Sequence, residues 1–427
     1  MLIRNGRIID PANGMDAVGD LLIEDGKVVS IGEVPGADEY TGEVVDAQGC
    51  IVAPGFVDIH CHLRDPGLEY KEDMYTGTRA AAHGGFTSVC CMANTQPVND
   101  NAAVTRAIID KAQREGVVNV YPIGAITKGL KGQELAEMGQ MQRAGAVAMS
   151  DDGHPVMNGR KMYLALQYAK AFNLTLISHS EDTDIVAEGL MNEGTVSTRL
   201  GLKGIPRAAE ETMIARECIL AEGLGARIHI AHVSTEGSVA LIKHFKSRGV
   251  RVTAETAPHY VYGTDELVDE LDYDSDTRVN PPLRTERDRQ ACIAGLKDGT
   301  LDCIATDHAP HHIDEKRVEY ALAANGISGF ETAFALCNTA MVLPGLMDIN
   351  MLISKMTVEP ARVLGLNKGT LTPGADADVV IIDPNAVWTI DPEKFLSKGK
   401  NTPFKGRVVT GAVRATYVAG KCVWQEA

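Results

Sequence analysis

The sequence predicts an α/β fold: a closed (β/α)8 TIM-type barrel carrying a small β-sandwich domain formed from both termini. From about residue 51, short Val- and Ile-rich runs alternate with longer segments of helical pattern, and about eight such units follow one another. Both ends of the chain read as hairpins instead. Near-continuous apolar strands belong to parallel sheets covered on both faces, and roughly eight units close such a sheet into a barrel. An open doubly wound sheet is the competing arrangement, but nothing resembling GxGxxG follows the first strand.

At the start, LIRNGRIIDP, DLLIEDGKVVSIGEV and GEVVDAQGC contain Asn-Gly and Asp-Gly turn signals between apolar runs, a hairpin pattern. The barrel strands are read at 51–62, 87–94, 118–126, 146–153, 174–182, 227–235, 251–260 and 301–312. Between them, segments such as 105–116, 162–173, 210–225 and 236–249 place apolar residues at three-and-four spacing and end in Gly or Asn, which suits a helix stop. At the end, ADVVIIDP and GRVVTGAVRATYVAGKCVW return to the hairpin pattern. The expected organisation is residues 1–52 plus 366–427 as one composite β domain, with 53–365 as the barrel.

Composition narrows the function. A chain of 427 residues, 44% hydrophobic and 23% charged, has material for a large core. Nine cysteines with no CxxC pair give no disulfide framework. A formal net charge of -16 leaves no basic patch for phosphate backbones, which disfavours nucleic acid as a partner. No run approaches a membrane span and no basic-then-apolar leader opens the sequence. The expected location is therefore the cytoplasm, with no membrane partner.

Where the apolar runs stop, polar residues stand: His60 and His62, Asn94, Asp151 and Asp152, His179, His232, His259, Asp307 and His311. In a barrel of this type the carboxyl ends of the strands share one rim and build the active site. His60 and His62 lie at i and i+2 of an extended segment, so both rings leave the same side and Cys61 leaves the other. A buried, backbone-bonded imidazole pair is the bland reading of an isolated HxH, and the further His and Asp residues at other strand ends argue against it. The set His60, His62, Asp152, His179, His232 and Asp307 offers nitrogen and oxygen only, suited to zinc and also to manganese, cobalt or iron.

Six protein ligands are too many for one tetrahedral zinc with an open position, whereas two metal ions account for the number. His60, His62 and Asp307 are assigned to the first ion, and His179 and His232 to the second. Asp152 and a hydroxide would bridge them. Two carboxylates and one hydroxide leave such a site with about one positive charge, which favours an anionic substrate. Arg64, two residues beyond His62, is placed to fork onto a substrate carboxylate.

DIHCHLRDPG (58–67), MANTQP (92–97), SDDG (150–153), SHSED (178–182), AHVST (231–235), TAPHY (256–260), NPPLR (280–284) and ATDHAPH (305–311) together resemble the amidohydrolase superfamily, and within it the dihydroorotases of the long-chain bacterial type (class I). The resemblance runs over the whole chain. Hydantoinases, allantoinases and short-chain dihydroorotases bridge their metals with a carboxylated lysine at the end of the fourth strand. This chain reads AMSDDG there, with the next lysine at Lys161, and alignment of SDDG puts the bridging aspartate of the long-chain type on Asp152.

The resemblance implies two zinc ions per chain and substrate contacts at Arg64, Asn94, Asn280 and His311, with the segment at Asn325 and Gly326. Some relatives carry Phe-Gly where Asn325-Gly326 stands, which points to a backbone contact there. It further implies the dihydroorotase reaction, the third step of pyrimidine synthesis, with Asp307 as base and then acid. Asp151 is expected to support the site or cap a helix, and His259 to support it by hydrogen bonding. Competing readings are a hydantoinase or allantoinase, and a catalytically silent subunit that stabilises aspartate carbamoyltransferase. A homodimer and a complex with that transferase are the assemblies to weigh.

Overall fold

The computed structural model describes residues 1–426. Strands β1 (Leu2–Asp10), β2 (Met15–Glu24), β3 (Lys27–Gly32), β4 (Val44–Asp46) and β5 (Ile51–Pro54) open the chain. The barrel strands are β6 (Phe56–Cys61), β7 (Phe86–Cys91), β8 (Asn119–Pro122), β9 (Met149–Ser150) and β10 (Leu176–Ser178). A short parallel pair, β11 (Met191–Asn192) and β12 (Gly204–Ile205), interrupts the series before β13 (Ile228–Ile230), β14 (Val252–Thr256) and β15 (Cys303–Ile304). The chain ends in β16 (Val379–Thr389), β17 (Val408–Val418) and β18 (Lys421–Gln425).

Two parallel sheets, β6-β7-β8 and β9-β10-β13-β14-β15, supply the barrel wall. They are joined at both seams by single parallel bridges, Gly124 to Met149 and Cys61 to His308. The wall therefore closes on itself. Outside it lie helices including Ala102–Glu115, Gly159–Ala171, Ala208–Leu224 and Glu236–Ser247, each within two or three residues of the limits the apolar spacing implies. Local chemistry sets their ends. Asn101 accepts from the amides of Ala103 and Val104, Thr235 accepts from Ser238, and Gly225, at φ 58°, closes Ala208–Leu224, the cap and stop that helix termini favour.

The two ends of the chain build one sheet in the order β18-β17-β16-β5-β1-β2-β3, with β4 beside β1. The apolar run 51–62 is thus divided between two sheets. Gly55 donates to Asp378 O at 2.9 Å while Phe56 donates to Gly85 O at 3.0 Å, so the hydrogen-bonding partner changes from the terminal sheet to the barrel within one residue. A Cβ on Gly55 would lie 2.1 Å from Thr87 Cγ2. Only glycine fits that crossing. The nine cysteines are all free thiols, and among the described residues no helix is long and apolar enough to cross a membrane.

Candidate metal centre

The carboxyl ends of the barrel strands bring the anticipated residues to one rim. His60 is the last residue but one of β6 and His62 directly follows that strand; His179, His232 and Asp307 stand one to three residues beyond β10, β13 and β15, and Asp152 two beyond β9. The alternation of an extended chain operates as the sequence implies: the His60 and His62 rings lie 5.5 Å apart, while Cys61 turns into the wall and donates to Cys90 O at 3.3 Å. Arg64, His232 and Asp307 have positive φ, at 60°, 35° and 47°. Side-chain-bearing residues rarely hold that conformation, and it persists where neighbours over-determine it. At Asp307 the amide donates to His60 O at 3.0 Å, and the preceding Thr306 amide donates to Asp58 Oδ1 at 3.0 Å.

Two carboxylates face four imidazoles. Asp152 Oδ1 lies 3.3 Å from His60 Nε2 and 3.5 Å from both His179 Nδ1 and His232 Nε2, and its Oδ2 lies 3.4 Å from His62 Nε2. Asp307 Oδ1 lies 3.1 Å from His62 Nε2 and 3.4 Å from His60 Nε2. His179 Nδ1 and His232 Nε2 approach to 2.8 Å. Burial alone would raise the Asp152 carboxyl, but the charge on His60 and the His179 and His232 imidazoles beside it hold it well below the carboxylate range. Burial likewise opposes charge on His60, yet Asp152, Asp307 and Glu255 lift its imidazole well above the ordinary value. The pocket calls for positive charge at that point.

A divalent cation answers that demand. Buried His60 Nε2 and Asp152 Oδ1 have no hydrogen-bond partner among the described residues, and unpaired buried polar atoms are costly unless a ligand takes them. Ligand atoms of His60, His62 and Asp307, and of His60, Asp152 and His232, form two groups, each within 4.8 Å. His60 thus belongs to both groups rather than to one. The donor set is nitrogen and oxygen, the chemistry of zinc and its neighbours.

Residues behind the ligands were not singled out from the sequence. Glu255 takes His60 Nδ1 at 2.7 Å and His229 Nε2 at 3.1 Å, and Thr253 Oγ1 lies 2.8 Å from His229 Nδ1. Glu181 lies 3.2 Å from His179 Nε2. Asp58 accepts from the His60 amide at 3.1 Å and from Thr306, and burial pushes its carboxyl up to about 7. An acidic residue inside an apolar strand, as in FVDIHCH and VTAET, was the available signal. Asp151 caps no helix; it accepts from the amides of Ile126 and Thr127 at 2.8 and 3.0 Å and so supports the loop after β8. His259 departs from expectation. Its Nε2 is buried without a hydrogen-bond partner among the described residues and its ring packs on Tyr260, 4.2 Å between centroids; burial lowers the imidazole to about 4.

Above the centre lies a cavity of about 180 Å³. All the anticipated ligand and substrate residues line it except His60, which lies fully buried. Arg64 is 8% exposed; its guanidinium contacts Pro310 O at 3.2 Å and His311 Nε2 at 3.3 Å and forms no ion pair among the described residues. Burial, with Arg64 and Lys71 nearby, lowers the His311 imidazole to about 3; its Nε2 lies 2.9 Å from Asn325 O. Asn94 turns its carboxamide oxygen to His62 Nδ1 at 2.9 Å, which leaves its amide nitrogen for a ligand. Asn280 Nδ2 reaches His179 Nε2 at 3.5 Å. Gly326 also lines the cavity; at its φ of 150° a Cβ would lie 2.6 Å from Ala309 O, so only glycine fits there.

A family model described as Dihydro-orotase-like matches residues 49–238. A relative named Dihydroorotase from Geobacter metallireducens is 54% identical over 425 residues, covering 100% of this chain and 99% of that one. The chain belongs to the dihydroorotase family. Dihydroorotases of Acetivibrio thermocellus and Pelotomaculum thermopropionicum match at 54% and 56% identity, each over 100% of this chain and 99% of theirs. Among solved structures, the L-hydantoinase of Arthrobacter aurescens superposes with a TM-score of 0.90 at 26% identity, covering 100% of this chain and 96% of that one. A D-hydantoinase superposes at 0.87 with 25% identity, covering 99% and 95%. The dihydroorotase-family chain thus shares its barrel and terminal sheet with cyclic amidases. At the end of its fourth barrel strand stands Asp152, and Lys161 lies in the helix Gly159–Ala171.

Proposed function

We propose that this chain is a dihydroorotase that opens (S)-dihydroorotate to N-carbamoyl-L-aspartate and closes it again, the third step of pyrimidine synthesis. The observation that carries the proposal is Arg64, a buried guanidinium without a carboxylate partner, facing the same cavity as the His and Asp cluster. A neutral ring gives that charge nothing to pair with. A substrate carboxylate does.

His60, His62 and Asp307 would hold one zinc ion, His179 and His232 a second, with Asp152 between them. When bound, the two ions acidify water and polarise the amide carbonyl. The chain's own residues do the rest. Asp307 accepts the proton of the attacking water and returns it to the departing ring nitrogen, serving as base and then acid. Arg64, the Asn94 amide nitrogen and His311 grip the carboxylate, and Asn280 with the backbone at Asn325 and Gly326 meets the amide edge of the ring. Residue positioning of this kind is worth several kcal/mol of barrier, about 7–11 at its upper range.

Hydrolysis of dihydroorotate, hydantoin and allantoin by the same preparation tests the substrate. Dihydroorotate should be turned over and the neutral rings scarcely touched; the reverse order would overturn the proposal. Activity should disappear on dialysis against a chelator and return with zinc, with metal content followed in parallel. A silent partner of aspartate carbamoyltransferase would show no activity either alone or with that transferase. Isosteric, neutral Glu255→Gln should weaken zinc binding about 10–100-fold, the usual scale for groups that orient a ligand, as read by chelator competition. Unchanged affinity would mean that Glu255 only fills space.

A further inference from the structure

Between β16 and β17 the chain leaves the terminal sheet and returns to the barrel mouth, where Asn401 is 4% exposed. Its carboxamide uses its full hydrogen-bonding capacity. Nδ2 donates to Ala309 O at 3.1 Å and to Gly326 O at 2.9 Å; Oδ1 accepts from the His311 amide at 3.0 Å and from Ser328 Oγ at 3.0 Å. The Ser328 amide also donates to Asn401 O at 2.8 Å. One side chain therefore fixes the segment carrying His311 against the segment carrying Gly326.

A second buried group ties in the remaining segment. Lys316, also 4% exposed, donates from Nζ to Ala324 O at 2.9 Å, Gly326 O at 3.3 Å and Arg278 O at 3.4 Å. The Gly326 amide donates to Arg278 O at 3.0 Å, two residues before Asn280. The Gly326 carbonyl is thus shared by Asn401 and Lys316. Neither side chain lines the 180 Å³ cavity; both border a separate one of about 250 Å³ behind it, and His311 belongs to both walls.

We infer that Asn401 and Lys316 are positioning residues for the substrate: from behind the cavity they set His311 and the Asn325–Gly326 backbone opposite Arg64. The inference rests on the substrate contacts proposed above. Its chemical content is directional. Asn401 offers two N–H groups to two carbonyls, and an aspartate there would turn acceptor against acceptor while keeping size and shape. The ligand cluster makes no contact with either side chain, so the cation centre should not respond.

The test is steady-state kinetics on dihydroorotate with the full-length, zinc-loaded protein. Asn401→Asp should raise KM about tenfold or more with kcat held within about threefold, the signature of lost binding common to ground and transition states. Zinc content should equal that of wild type. In a His311→Ala background the same substitution should raise KM by a clearly smaller factor, the part carried through the Gly326 backbone alone, because coupled neighbours are non-additive; a purely structural defect would give the same factor in both backgrounds and overturn the inference. Should Asn401→Asp not fold, Asn401→Ser and Lys316→Met carry the same expectation, and wild-type KM in either would overturn it. Failure of the substrate reading looks different: wild type would not turn over dihydroorotate, or His311→Ala would leave KM unchanged.

Discussion

Asp307→Asn should lower kcat for dihydroorotate by about 10²–10⁴-fold, the range a positioned acid–base group contributes, while the protein stays folded and zinc-loaded. Asp307 is 6% exposed and its Oδ1 lies 3.1 and 3.4 Å from His62 and His60 Nε2. Burial would raise its carboxyl, but His60, His62 and His232 hold it well below the usual carboxylate range. The group therefore meets substrate ionised, able to take a proton. An asparagine keeps the oxygen and the shape and cannot take that proton. Five of the six ligands are untouched. Kinetics and zinc content measured on the same sample check both halves of the expectation. A rate near wild type would remove Asp307 from the base role, and a loss of zinc matching the loss of rate would reduce it to a ligand.

How much of this was legible depends on the range of the forces involved. Alternation in an extended chain is local, so the common direction of His60 and His62 could be read directly, and strand ends gathering on one rim follow from the barrel. The division of 51–62 at Gly55 could not be read, because it depends on Asp378 and Thr87 from distant segments. Nor could the lengths of the strands. β9 and β15 pair over two residues each, since the following residues leave the wall to build the site. SDDG presents two adjacent aspartates; the resemblance assigned the bridge to Asp152, and the physical reason, that the amides of Ile126 and Thr127 take Asp151, lies in a distant segment. Asn401 had no signal at all. It lies 90 positions from His311, in a segment whose neighbours carry none of the family's motifs.

Replacing Arg64 by Met should cost about 10²–10³-fold in kcat/KM for dihydroorotate, within the 2–5 kcal/mol typical of truncating one partner of a buried, hydrogen-bonded charge pair. The same substitution should leave the ligand-free protein no less thermostable. The two expectations have one cause. Without substrate, the guanidinium is buried against Pro310 O and His311 with no opposing carboxylate at bonding distance, and a buried unpaired charge opposes folding. Methionine keeps much of the unbranched apolar stem and removes the charge. With substrate, the guanidinium gains two parallel charge-assisted bonds that methionine cannot form. Dihydrouracil, the same ring without the carboxylate, isolates that difference: wild type should strongly prefer dihydroorotate, and Arg64→Met should narrow the preference mainly by losing dihydroorotate. If the preference survives the substitution, the carboxylate is held elsewhere in the cavity. If melting temperature falls with activity, Arg64 is a structural residue, and the case for an acidic substrate loses its main support.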